Sequence, residues 1–230
     1  MPRTIKKRTA KSSIKEERAK DFFHKIQEFA FRKERVIVPV AVAVVVLFVL
    51  SAGFFIYQSN TNKKAEALAY DAYKAYYGLY QAQPAQRADQ YQNALEKFKK
   101  SYDARKSPFA LFYMSNCYFG MGRYDEALKA LAELNERFPD DERFVPLSYY
   151  KMAVITLNKG DKEAALKLLD TLYNYKSASL KDLALIESAR ILESMGKAEE
   201  SAKKYEEITK GFPNSPFGEE AKSKISDRKG

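Results

Sequence analysis

Between residues 36 and 57 the chain runs for 22 positions without a single charged side chain. The stretch VIVPVAVAVVVLFVLSAGFFIY holds eight Val, two Ile, two Leu and three Phe. Coiled as a helix it is about 33 Å long at roughly 1.5 Å per residue, the span of a hydrocarbon core of roughly 30 Å with a modest tilt. Ten of its residues are β-branched and favour a strand on propensity. Strands rarely exceed about ten residues, however, so length decides for a helix. Fifteen strongly apolar residues, at roughly 0.3 to 0.6 kcal/mol each, give an insertion free energy of about 5 to 9 kcal/mol. Ser51, Ala52 and Gly53 supply the small residues that a signal peptidase needs. The 35-residue leader is longer than the n-region of a cleaved signal peptide, which favours an uncleaved anchor. Phe54 stands where a lipoprotein box would require Cys, so no lipid attachment is expected.

Charge sets the expected direction. Residues 1–35 carry twelve Lys or Arg against five Asp or Glu, a net +7, whereas residues 58–230 carry 28 against 25, a net +3. The more basic flank stays on the cytoplasmic side. This predicts a single-pass protein of a bacterial inner membrane, with a cytoplasmic N-terminus and a periplasmic C-terminal part. In the leader, Phe22, Ile26 and Phe29 recur at spacings of four and three, with Lys20, Lys25, Glu28 and Arg32 elsewhere on the wheel. That pattern predicts an amphipathic helix lying in the headgroup layer, so residues 20–57 are expected to meet membrane lipid. Residues 1–13 have little apolar content, and the expectation there is disorder. Their basic charge is generic and points to topology rather than to nucleic acid.

Composition narrows the chemistry. The chain has one Cys (Cys117) and one His (His24), which leaves no intramolecular disulfide, no Cys/His zinc cluster and no Cys–His pair beyond the span. Glycine-rich phosphate loops, HExxH and GxSxG are absent from the sequence. Glu126, Glu163, Glu199 and Glu200 each follow a turn and read as helix-start charges. A non-enzyme without cofactor or metal is expected.

Past the span the sequence repeats itself. Gly122, Gly160 and Gly196 lie 38 and 36 residues apart. Five residues after each come Ala127, Ala165 and Ser201, then Leu131, Leu169 and Tyr205 at nine, and Leu134, Leu172 and Ile208 at twelve. Seven residues before them stand Ser115, Ala153 and Ala189, and eleven before them Leu111, Tyr149 and Leu185. Glycine permits the left-handed residue that ends a helix, small residues let helices approach, and large ones fill the seam. The physical unit is helix, tight turn, antiparallel helix. Ser107-Pro108 and Ser215-Pro216 both read as an N-cap followed by proline at the first helical position. An earlier pair, 62–82 and 88–105, keeps Tyr91, Ala94 and Phe98 in phase but shows no glycine at the marker position, and Tyr70, Tyr73, Tyr77 and Tyr80 share one side of its first helix.

The stretch LFYMSNCYFGMGRYDEALKALAELNERFP resembles the tetratricopeptide repeat nearly throughout, with Leu111 where Trp is usual. The second copy departs at Thr156, Lys162 and Ser177, and the third at Ala198 and Ser201. The resemblance implies an all-α chain: a single transmembrane helix followed by an α-solenoid of tetratricopeptide-like helix pairs. The expected organisation is 1–35 leader, 36–57 span and 58–230 repeats, closed by a polar helix. The whole arrangement is similar to the ancillary SecYEG translocon subunit family. That likeness implies a scaffold beside the secretion channel, with translocon subunits, periplasmic chaperones or envelope proteins as partners. ERFPDDERF and KGFPNSPFGEEAKSKI also resemble repeats of the assembly lipoprotein BamD and the division coordinator CpoB, which leaves an envelope-assembly or division role as the alternative. A further alternative places the activity in the basic leader.

In such a solenoid the first helix of each pair lines the concave face. Counting from the glycines, the candidate groove is Phe109, Phe112, Asn116 and Phe119, then Tyr150, Val154 and Asn158, then Ile186, Arg190 and Glu193. Aromatic rings would supply pockets for a peptide's side chains, and Asn116 and Asn158 would bond its backbone. The competing reading has Phe109, Phe112 and Phe119 packed on the tyrosine helix of the preceding pair.

Overall fold

A run with neither glycine nor proline after Pro39 has no reason to break near the end of the apolar stretch apart from Gly53, and it does not. The computed structural model describes residues 20–25, 34–79 and 87–227, and among them every regular element is helical. Helix α1 spans Glu34–Tyr76 and passes through the neutral residues 58–62 uninterrupted. The chain divides into two compact units, Met1–Asn60 and Thr61–Gly230.

In the first unit the apolar part of α1 is long and apolar enough to cross a membrane, and none of its most apolar window is covered by protein. Ser51 keeps its hydroxyl satisfied by donating to the Phe48 carbonyl at 2.8 Å. Residues 20–25 are helical, with Phe22 and Phe23 exposed. Ile26, Phe29 and the tail 1–13 lie outside the described residues.

The second unit follows the repeat phase. Its helices are α2 (Arg87–Ala104), α3 (Pro108–Gly120), α4 (Tyr124–Arg137), α5 (Phe144–Asn158), α6 (Lys162–Asn174), α7 (Lys181–Ser194), α8 (Ala198–Gly211) and α9 (Gly218–Ser226). From α2 onward each helix packs against the next. The three marker glycines all have positive φ, and Arg123, Asp161 and Lys197 just after them donate back to the carbonyls of Tyr118, Thr156 and Leu192. This is the 6→1 bond of a Schellman stop. The first pair ends the same way, at Gly78, where Leu79 N–H reaches the Lys74 carbonyl. That pair therefore does possess its glycine. A longer connection, rather than two residues, separates it from the second helix, which hid it from the repeat count.

Ala127, Ala165 and Ser201 are fully buried at the crossings of paired helices, as are Leu131, Leu134, Leu172 and Ile208. The Ser201 hydroxyl, set in an apolar seam, donates to the Ala189 carbonyl at 2.9 Å. Ser107 caps α3 by accepting the Ala110 N–H, with Pro108 at the first position. Ser215 does not do the same for α9. Its hydroxyl donates to Asp182, 33 residues away, at 2.8 Å, and the helix begins only at Gly218 without a side-chain cap. The Ser215 oxygen accepts from the Phe217 N–H two residues on, at 3.2 Å, so a tight local turn takes the place of the cap that Ser215-Pro216 predicts.

One close approach sets a test. A Cβ placed on Gly120 would fall within the envelope of the Tyr91 ring, which itself lies 5.6 Å from the Tyr76 ring. Gly120→Ala is expected to displace that ring and cost about 1–3 kcal/mol. A thermal melt within error of the parent protein would show that Tyr91 has room to move.

Candidate partner-binding surface

The first helices of the pairs present the predicted groove residues in three different situations. On α3, Phe109 and Phe112 are engaged by rings of their own unit. Phe109 lies 4.7 Å from Tyr113, 6.4 Å from Tyr73, 6.1 Å from Phe98 and 6.0 Å from Phe144, centroid to centroid. Phe112 meets Phe144 at 5.7 Å. Both are half-buried, and the α3 stripe largely joins successive pairs. Tyr80 lies outside the described residues; Tyr73 is the tyrosine of the first helix that Phe109 touches. Phe119 is half-buried too, at 5.6 Å from Tyr124, and the Lys151 ammonium stands 4.1 Å from its ring centre. Burial holds the Lys151 amine below the usual lysine value. Asn116 is half-buried one turn before Phe119.

On α5 the residues open outward. Tyr150 and Val154 join Ala153 and Leu157, together with Leu169 of α6 and Glu187 and Ile191 of α7, around a shallow notch of about 20 Å³. That is far below the few hundred Å³ of a small-molecule site. Its walls are aliphatic, with one phenol and one carboxylate at the edge. Burial, with Glu187 second, raises the Tyr150 pKa, so the phenol stays protonated as a donor. Leu157 is 36% exposed, a large apolar residue left on the surface. Asn158 is differently placed, since its amide donates to the Val154 carbonyl of its own helix at 2.8 Å.

On α7 the predicted positions are engaged by neighbouring helices. Ile186 is 0% exposed and sits in a cluster with Leu185, Ala189, Tyr205, Ile208 and Ala221. Arg190 reaches Glu220 of α9 with two nitrogens, at 3.0 and 2.6 Å, and Glu187 with a third at 2.8 Å. The guanidinium holds the Glu220 carboxyl below its ordinary value. Glu193 accepts from Lys224 of α9 at 3.0 Å. The structure therefore brings Tyr150 and Val154 together, sets Phe109 and Phe112 in an aromatic cluster, and ties exposed Arg190 and half-buried Glu193 to α9 by ion pairs.

Leu157, Glu187 and Lys151 belong to this surface without having been singled out by sequence. Leu157 had a signal, because it falls three residues after Val154 and seven after Tyr150, on one helical face. Glu187 and Lys151 had none, since their places depend on contacts between helices. Cys117 is buried in the core, and burial pushes its thiol up to about 12. Among the described residues no group of three His, Cys, Asp or Glu side chains is placed to hold a metal ion.

A TPR repeat-containing protein of Methanocaldococcus jannaschii is 38% identical over 96 residues, which is 40% of this chain and 27% of that protein. A crystal structure of nearly identical TPR-like repeats of a Podosopora anserina kinesin light chain superposes with a TM-score of 0.52 at 13% identity, covering 72% of this chain and 85% of its own. That likeness is one of fold alone. A crystal structure of MamA covers 74% of this chain and 86% of its own, at 17% identity and a TM-score of 0.48. The Schellman-stopped helix pairs find their sequence counterpart in a family profile that matches residues 35–215, and the chain belongs to the tetratricopeptide repeat-like domain family.

Proposed function

We propose that this protein is a membrane-anchored, non-catalytic scaffold of the bacterial envelope that binds protein or peptide partners through its repeats, at the secretion translocon together with periplasmic chaperones. The observation that carries the reading is the joining, in one chain, of an uncovered apolar helix to a tetratricopeptide-like repeat unit. The leader's net +7 supports a cytoplasmic N-terminus, which puts residues 58–230 in the periplasm. Within those residues the notch on α5 is the docking point. Tyr150, Val154 and Leu157 receive an apolar side chain, and Glu187 selects against an acidic neighbour.

A photo-crosslinking residue at Leu157 is expected to capture translocon subunits or periplasmic chaperones from intact cells, whereas one at buried Ile186 captures nothing. Removal of residues 1–13 should leave the crosslinks in place. Loss of the crosslinks on that truncation, with none lost on Tyr150→Ala, would move the working part to the leader.

A further inference from the structure

Lys151, in the middle of α5, is half-buried, and its ammonium stands 4.1 Å from the centre of the Phe119 ring on α3. Among the described residues no carboxylate pairs with it. The positions three and four away on its own helix, Leu147, Ser148, Val154 and Ile155, carry no charge. The nearby charges are taken: Lys159 at the end of α5 pairs with Asp125 at 2.6 Å, and Glu187 across the notch is held by Arg190 at 2.8 Å. Burial alone acts on the Lys151 amine, with no neighbouring charge shifting it either way. A cation drawn partly out of water without a counter-charge is costly, and a ring face offsets that cost only in part.

Lys151 leans to the α3 side of α5, whereas Tyr150, Val154 and Leu157 open toward Glu187 and Ile191 of α7. The two flanks of a helix lie about 10–12 Å apart, the width of a helix with its side chains. An extended peptide covers that distance in about three or four residues, at roughly 3.3 Å each. The free charge and the apolar notch are therefore within reach of one short segment laid across α5.

We propose that Lys151, seated on Phe119, is the subsite for an internal Asp or Glu side chain of a partner peptide whose apolar side chain, three or four residues away, lies on Tyr150, Val154 and Leu157. The proposal deepens the reading that the repeats bind protein partners and rests on it. One ammonium with no second cation acting on it matches the single charge of a carboxylate rather than the near-double charge of a phosphate. The Phe119 ring keeps water from one side of the ammonium, so a carboxylate paired there gains more than at an open surface. Glu187 on the α7 side offers that carboxylate no counterpart, and the two flanks together set the direction in which the segment lies.

The test selects a phage library of random dodecapeptides on the full chain in phosphatidylcholine nanodiscs, each peptide joined to the coat protein at its C-terminus so that no free terminal carboxylate is offered. Enriched sequences should carry Asp or Glu three or four residues from an apolar residue. Synthetic versions with both termini blocked should bind Lys151→Met about tenfold or more weakly than the parent chain, the loss expected when a hydrogen bond to a charged group goes. Lys151→Arg should restore most of the affinity, and Lys159→Met, whose lysine is already paired, should leave it unchanged. Enrichment without an acidic preference, or equal affinity for Lys151→Met, overturns the acidic subsite while peptide binding stands. Acidic peptides that bind only with a free C-terminal carboxylate overturn it as well. A selection that enriches nothing above empty discs overturns instead the reading that the repeats bind peptides.

Discussion

Phe98→Ala is expected to destabilise the repeat unit by about 3–5 kcal/mol, the range for emptying a fully buried aromatic site. Phe98 is 0% exposed. Its ring stacks on Tyr113 at 5.3 Å and meets Phe109 edge-on at 6.1 Å, so truncation removes two aromatic contacts as well as buried area. The cavity would open beside α1, α2, α3 and α4 together, because Ala72, Leu95, Cys117 and Leu131 share the same cluster. Neighbouring helices joined by several rings cannot collapse around the void without losing those ring contacts, which puts the site at the costly end of the range. Urea unfolding of the full chain in detergent, followed by circular dichroism, reads the loss as a lower midpoint at unchanged slope. Tyr70→Ala, at a ring 60% exposed on α1, should stay within about 0.5 kcal/mol. Equal midpoints for the two variants would place the core elsewhere.

The second large effect concerns the span. Val45→Arg with Leu47→Arg introduces two cations near its centre, at about 2.5–3.5 kcal/mol each, and forfeits two favourable side chains. The sum, about 6–8 kcal/mol, matches the estimated insertion gain of about 5–9 kcal/mol, so the balance falls near zero. The parent chain should stay in the membrane pellet through alkaline carbonate, and a reporter active only outside the cytoplasm should be active when fused after Gly230. The double variant should be extracted and its reporter silent. A parent chain released by carbonate, or silent in the reporter, would remove the anchor from the proposed function.

The parts of this molecule that were legible in sequence are those set by local periodicity. Ala127, Ala165 and Ser201 could be placed in the helix crossings because a crossing tolerates only small residues, whatever else surrounds it. Gly122, Gly160 and Gly196 could be placed at helix ends because a positive φ leaves few residue choices. Gly78 escaped because its connection to α2 is longer, and phase counting presumes equal loops. Phe109 and Phe112 were legible as a stripe, but whether a ring faces solvent or another ring depends on Phe144, more than thirty residues on. By spacing, Ile186, Arg190 and Glu193 are groove positions on α7; Ile186 is instead buried, and Arg190 and Glu193 pair with α9, whose residues lie about thirty positions on. Periodicity names a face. It does not name the neighbour.

The closing helix differs from the rest of the unit in how it is held. α9 contributes one fully buried residue, Ala221, with half-buried Ile225 beside it and ion pairs from Glu220 and Lys224 to α7, whereas the opposite end is locked by interleaved rings. In a linear array each element is secured only by its neighbours, so opening starts where the grip is weakest. A load applied through the last helix would peel the array from α9 inward and reach the ring-locked pairs last. Seen mechanically, the repeats are a graded strap: the α9 end yields early and loosens in high salt, while the ring-locked pairs keep their shape under the same tension.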